Sequence, residues 1–153
     1  MRCRRMTYVM VCRDLTHYVY GMLIPIHLLI ADDHPFVRQG LALLLSGDPD
    51  MRVVGEAING HQVLVQLVEL DVHVVLMDVR MPILDGIQTT ERIARDFPEV
   101  KVLGLSLYEY PGYAEAMRSA GALGCLPKSV SGSVLREAIR TVAQGQRFVH
   151  YDC

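Results

Sequence analysis

The 153 residues are 51% hydrophobic and 21% charged, the composition of one ordinary globular domain with a full core rather than of two domains or a disordered chain. Fifteen Lys and Arg against 17 Asp and Glu leave a formal net charge of -2, so no basic field exists to hold nucleic acid or an anionic membrane. No apolar run approaches the roughly 20 residues of a bilayer-spanning helix, and Cys3, Cys12, Cys125 and Cys153 have neither a C-x-x-C pair nor the spacing of a zinc or disulfide framework, which points to a reducing cytoplasm.

Residues 1–21 carry arginines and tyrosines with no period of 2 or 3.6. Their basic start resembles a leader, but Arg13, Asp14 and His17 break any apolar stretch and no small-residue cleavage site follows. The expectation is an extension outside the fold, disordered or an overcalled start, with the natural start near Met22. Ile26 to Ala31 is a short apolar run ending in Asp32 and Asp33, the pattern of a strand buried on both faces. Pro35 suits a first helical turn, and Phe36, Val37, Gly40, Leu41, Leu44 and Leu45 form an apolar stripe until Gly47, Asp48 and Pro49 stop it. Val53, Val54 and Ala57 predict a second strand, and Asn59 and Gly60 turn the chain into a helix bearing Val63, Leu64, Leu67, Val68 and Leu70. Residues 72–77 are the most β-branched run and end in Asp78, predicting a central third strand before a loop through Pro82, Asp85 and Gly86. Ile87, Ile93, Ala94 and Phe97 mark a third helix, residues 100–107 a fourth strand, 113–120 a fourth helix, 125–126 a short fifth strand and 134–142 a fifth helix.

Alternating units of these lengths imply an α/β fold, a five-stranded parallel sheet with helices on both faces, because parallel neighbours need right-handed crossovers of about a helix each. In such doubly wound sheets ligands bind beyond the carboxyl ends of the strands, where strand order reverses. Those ends carry Asp32 and Asp33, Asp78, Ser106 and Lys128. Singly, each has an ordinary reading: an acidic pair is often a helix N-cap, Asp78 a solvated loop residue, Ser106 a group satisfying its own backbone, Lys128 a surface charge. Jointly they call for a cation, because three carboxylates held close repel one another, and hard oxygen donors suit Mg²⁺ better than a softer metal. Asp78 is then positioned as a nucleophile towards phosphorus, with Lys128 neutralising phosphoryl oxygens and Ser106 supplying a hydroxyl donor.

These residues, together with the run from Leu76 through Asp78, Arg80, Met81 and Pro82 to Gly86, resemble the receiver domain of bacterial two-component response regulators over residues 26–148. The wording Ala31-Asp32-Asp33-His34-Pro35 and the segment Val53-Val54-Gly55-Glu56-Ala57 look most like its NarL/LuxR-type members. The resemblance implies that Asp78 takes a phosphoryl group from a sensor histidine kinase, and that Asp33, Asp78 and the backbone carbonyl of Arg80 bind Mg²⁺ while Asp32 assists through water. It implies that Ser106 and Lys128 grip the phosphoryl group and pass its presence to the face around the fourth helix and fifth strand, and that the phosphorylated form dimerises. It implies a regulator rather than an enzyme, with residues 22–148 as receiver and 149–153 beginning the linker to a helix-turn-helix domain that this chain lacks, so that this chain itself touches neither DNA nor membrane.

The sequence departs from the family pattern at two points. Cys125 stands three positions before Lys128, where an aromatic residue is common, and Pro127 precedes the lysine where many receivers have a proline after it. Cys125 reads as a small buried core thiol, since nothing nearby in sequence argues for a lowered thiol pKa. Arg80 and Tyr108 flank the mouth through which water must approach, and Arg80→Ala is expected to change the acyl-phosphate lifetime. His34 is read as packing at the start of the first helix, and His27, His61, His73 and His150 are assigned no chemistry. A phosphatase of the haloacid dehalogenase type would want a second acid two residues after the nucleophile, where this chain has Arg80, and a flavodoxin-like carrier would need a phosphate loop where Asp32 and Asp33 would repel the anion. The remaining rival is a receiver-fold interaction module in which phosphorylation switches nothing.

Overall fold

The computed structural model describes residues 18–19, 22–107 and 111–150. The extension predicted over residues 1–21 lies almost wholly outside the described residues, as do Tyr108 and three of the four cysteines. Tyr18–Val19 pairs antiparallel with Met22–Leu23 in a short ladder separate from the main sheet.

The main sheet contains β1 (Ile26–Ala31), β2 (Met51–Ala57), β3 (Val74–Asp78), β4 (Lys101–Ser106) and β5 (Gly124–Pro127), in the order β2-β1-β3-β4-β5 and parallel throughout. The helices are α1 (Pro35–Leu45), α2 (Gly60–Glu69), α3 (Gly86–Asp96), α4 (Pro111–Ala120) and α5 (Gly132–Ala143). The chain leaves β1 for β2 on one side and then crosses to β3 on the other, so the order reverses between β1 and β3 and opens a crevice at their carboxyl ends.

Alternation along the strands feeds two cores. Leu28 and Ile30 of β1, with Val74 and Leu76 of β3, join Leu45 of α1 and Leu135, Ala138, Ile139 and Val142 of α5. Leu29 and Ala31, with Val75 and Met77, join Val63 and Leu67 of α2, Ile93 of α3 and Met117 of α4. Three helix starts are fixed by side chains accepting from backbone amides: Asn59 from Gln62 N, Asp85 from Gln88 N and Ser131 from Val134 N. No helix among the described residues is long and apolar enough to cross a membrane.

Two expectations need amendment. The stripe predicted for α1 is only partly covered: Leu45 is buried, but Phe36 is 84% exposed and Leu44 also faces outward. One helix against one sheet face covers a narrower arc than the apolar residues of α1 occupy. β3 begins two residues later than the apolar run, because 71–73 form the approach to it, Val72 anchoring that approach in the core while its backbone stays outside the strand. The same strand runs one residue further, so Asp78 is held in the ladder opposite Leu105. Every peptide bond among the described residues is trans, Leu126–Pro127 included.

Candidate functional site

The five polar groups predicted at the strand ends meet at the crevice between β1 and β3. Asp32 follows β1 directly; its amide donates to the Ala57 carbonyl of β2 at 3.0 Å, and Arg38 Nη1 donates to its carbonyl at 2.8 Å while Arg38 Nε bonds Glu56 Oε2 at 2.9 Å. This double anchoring fixes the turn into α1 and places the Asp32 carboxylate inward, with the residue 1% exposed. Asp78, 5% exposed, ends β3 beside it, and one carboxylate oxygen accepts from the Arg80 amide at 3.4 Å. Lys128 follows β5, and its amide donates to the Ser106 carbonyl at the end of β4 at 2.7 Å, tying the two strand ends together. The Lys128 ammonium lies 2.5 Å from Asp32 Oδ2 and 3.1 Å from Asp78 Oδ1.

The charge is unbalanced: one ammonium faces the carboxylates of Asp32 and Asp78, with Asp33 beside them. Burial raises the Asp78 carboxyl above its ordinary range, Lys128 opposes that shift, and the negative charge of Asp32 adds to it. Asp32 Oδ2, Asp33 Oδ1 and the Lys128 ammonium are all buried without a well-formed hydrogen bond, so charge contact is their compensation. Asp32, Asp33, His34 and Asp78 offer ligand atoms within 4.8 Å of one another. Under-bonded hard oxygens gathered at one point suit a hard divalent cation, so the residues present fit Mg²⁺. The site opens into a cleft of about 530 Å³ lined by Asp33, Asp78, Arg80, Ser106 and Leu107 among others.

Three contributors to this geometry are not apparent in the strand-end pattern. His34 does more than start α1: its ring Nδ1 lies 3.0 Å from Asp33 Oδ1 and 3.2 Å from Asp32 Oδ1, and its amide donates to Asp32 Oδ1 at 2.9 Å. Gly86, the first residue of α3, accepts no side chain, because a Cβ there would lie 2.0 Å from the Asp78 carbonyl oxygen. Its amide donates to the Val79 carbonyl at 3.0 Å, closing the loop after Asp78 on itself. Ile83 in that loop takes φ 71°, left-handed backbone that a β-branched residue rarely adopts, and is 84% exposed. Arg80 is exposed at the cleft mouth as expected, whereas the other expected flank, Tyr108, lies outside the described residues. Cys125 is buried between β4 and α4: a Cβ at Gly104 would lie 3.1 Å from both Cys125 Sγ and Met117 Cε.

His27 and His73, assigned no chemistry from sequence, stand together at the other end of the sheet, with ring centroids 4.9 Å apart.

Known proteins share this arrangement. The family described as "Response regulator receiver domain" matches residues 28–140. The response regulator GacA of Pseudomonas protegens is 36% identical over 124 residues, which are 81% of this chain and 58% of that protein. The response regulator UvrY of Escherichia coli (strain K12) is 38% identical over 128 residues, 83% of this chain and 58% of that protein. The chain therefore spans a little over half the length of these curated relatives. Among solved structures, the signal receiver domain of NarL from Mycobacterium tuberculosis superposes with a TM-score of 0.76 at 30% identity, covering 80% of this chain and 98% of that one. With the family matched across most of its length and its acidic crevice, Ser106 and Lys128 in place, this chain belongs to the response regulator receiver domain family, in the NarL/LuxR-type branch.

Proposed function

We propose that the domain accepts a phosphoryl group on Asp78 from a phosphohistidine of a sensor histidine kinase, in a Mg²⁺-dependent reaction, and uses it to switch regulatory output, of transcription in the whole regulator. The observation that carries this reading is the placement of Asp78: a buried carboxylate at the end of a central strand, 3.1 Å from a lysine ammonium and open to a cleft.

In this reading an Asp78 carboxylate oxygen attacks phosphorus, a P–O bond forms, and the P–N bond of the donor breaks, its electron pair returning to the imidazole, which takes a proton from solvent. Asp32, Asp33, Asp78 and the backbone carbonyl of Arg80 would hold Mg²⁺, directly or through water, which supplies charge neutralisation for the phosphoryl oxygens. Lys128 then exchanges its contact with Asp78 for a phosphoryl oxygen, and the Ser106 hydroxyl donates to another. Because the Lys128 amide is bonded to the Ser106 carbonyl, a shift at either residue reaches the ends of both β4 and β5. The functional unit is residues 22–148, with 149–153 starting a linker; the protein works in the cytoplasm as a signalling regulator without substrate turnover, dimerises when phosphorylated, and contacts DNA through residues outside this chain. The relatives include proteins named as transcriptional regulators, which supports that assignment of output.

The test is intact mass after incubation with a small-molecule phosphodonor and Mg²⁺. A single phosphoryl adduct is expected on the native chain, absent with chelator and absent from Asp78→Asn; an adduct that persists in Asp78→Asn, or none on the folded native chain, overturns the reading. Cys125, in place of the aromatic residue common there, favours a second reading, a phosphoacceptor whose modification switches nothing. Equal elution volumes on size exclusion with and without a phosphoryl mimic would support that alternative.

A further inference from the structure

We propose that His27, Asp71 and His73 form a binding site for a divalent transition-metal ion of the zinc class, at the end of the sheet opposite the acidic crevice. The inference rests on no part of the receiver reading.

His27 is the second residue of β1 and His73 immediately precedes β3. These strands are adjacent and parallel, and the pairing of Leu28 with Val74 sets the two histidines opposite each other. Their rings are stacked, 4.9 Å between centroids and 2° between planes, so both side chains leave the sheet on one side. Asp71, two residues earlier, brings its carboxylate to the pair: Oδ2 lies 3.2 Å from His27 Nδ1 and 3.7 Å from His73 Nε2. A tetrahedral ion with bonds of about 2.0–2.2 Å holds its ligand atoms about 3.3–3.6 Å apart, so both spacings lie close to what one ion requires. All three ligand atoms fall within 4.8 Å of one another. The Asp71 side chain is 77% exposed, and the groove beside it, lined also by Glu99 and Lys101, leaves room for ions to enter and for water to complete the coordination.

The donor set decides the class of ion. Two imidazole nitrogens and one carboxylate suit Zn²⁺, Ni²⁺ or Cu²⁺, whereas Mg²⁺ prefers the all-oxygen set at the other end of the sheet. The metal-free arrangement also sets the terms of binding. The His27 amide donates to His73 Nδ1 at 3.1 Å, which places the proton of a neutral His73 ring on Nε2, facing Asp71. His27 Nδ1 likewise faces Asp71, 3.0 Å from its carbonyl and 3.2 Å from its carboxylate. Because an ion lies in the plane of each ring it binds, uptake turns the stacked rings out of parallel. It also moves each ring's proton to the other nitrogen and releases the His27 amide from His73. Uptake therefore requires the ion to displace a proton from each of the two nitrogens it binds. The bound ion would pin the start of β1 to the start of β3.

The experiment is a titration of the full chain with Zn²⁺ by isothermal calorimetry, with excess Mg²⁺ present to occupy the acidic crevice. The histidine ring resonances of His27 and His73 are followed by NMR in parallel. Expected are one Zn²⁺ per chain, shifts of both sets of resonances, and affinity weakened about tenfold or more in Asp71→Asn and in His73→Gln. Asp71 is exposed enough that its substitution leaves the fold intact, so a folding failure of His73→Gln does not blunt the test. Affinity equal to the native in a folded Asp71→Asn, or His27 and His73 resonances indifferent to Zn²⁺, overturns the proposal and assigns any uptake to other residues.

Discussion

Asp78 carries its negative charge at a cost. Burial and the neighbouring Asp32 hold its carboxyl above the ordinary value of 3.8, and Lys128 offsets only part of that. A carboxyl whose pKa is raised by folding stabilises the fold fully below its unfolded pKa, while protonated, and loses that contribution as pH rises through the folded pKa. At pH 7 without divalent cation that contribution is diminished, and Asp78 leaves the fold less stable than it is at low pH. Asp78→Asn is expected to raise the Tm at pH 7 in chelator by a few degrees, an increment that shrinks as pH is lowered towards 3.8. Mg²⁺ should raise the Tm of the native protein at pH 7 and raise that of Asp78→Asn less, since the variant lacks one of the carboxylates proposed to hold it. Melts across pH with and without Mg²⁺ check all three expectations; a variant less stable than the native chain at pH 7 in chelator would show that Lys128 outweighs burial. At this scale the sequence was informative where polar residues end apolar runs, because a strand buried on both faces leaves few other places for them. It read His34 only as packing at the start of α1 and was silent on Arg38, because their contacts with the crevice depend on how the turn into α1 folds back; it gave His27 and His73 no chemistry, because they meet only through the register of two strands 46 residues apart along the chain.

The elements carry the site because their ends are fixed. Asp85 caps α3 through the Gln88 amide at 2.8 Å, and Gly86 lets that helix start directly against the Asp78 carbonyl. The two residues separate capping from close approach. Asp85→Ala removes one side-chain cap and is expected to cost about 1 kcal/mol. Gly86→Ala drives a methyl group into the backbone of β3 and is expected to cost about 3 kcal/mol or more. If Asp78 is the acceptor, as proposed, Gly86→Ala should also lower phosphoryl uptake disproportionately, because the obstructing atom belongs to Asp78 itself. Urea unfolding and intact mass on both variants test this; similar phosphoryl uptake by the two would mean that Gly86 serves α3 alone. The succession of strands and helices was legible because each strand is a compact apolar run and each helix a periodic one. Boundaries were legible only where a carboxylate or proline punctuates them. The α1 stripe misled because periodicity reports how many apolar residues share a face, not how wide an arc the sheet covers, and Phe36 and Leu44 lie outside it. β5 extends one residue beyond the predicted pair on each side, since Gly124 and Pro127 enter the ladder through backbone pairing with Leu103 and Ser106 that propensity does not encode.

Across the whole molecule, the sheet forces two cores to stand or fall together. Leu28 and Leu29 are neighbours in sequence yet belong to opposite cores, as do Val74 and Val75, so neither core loses its strands without the other losing half its lining. Ile139 of α5 tests this coupling because it is fully buried in the core that α5 shares with α1. Ile139→Ala is expected to cost about 2–5 kcal/mol, a large share of the roughly 5–15 kcal/mol that holds a domain of this kind together. If the sheet couples the cores, that loss spreads through it to the far side. Native-state hydrogen exchange should then show the most protected amides of β1 and β3 losing protection by the full amount, and those around Ile93 in α3 losing as much, although α3 packs on the opposite face. Were α5 and its core to open as a separate unit, amides of α3 would keep native protection while those of α5 lost theirs. The same coupling bears on signalling. β4 sends Leu103 and Leu105 into the α5 core and Val102 into the α4 core, so a displacement of Ser106 at its end reaches helices on both faces of the domain.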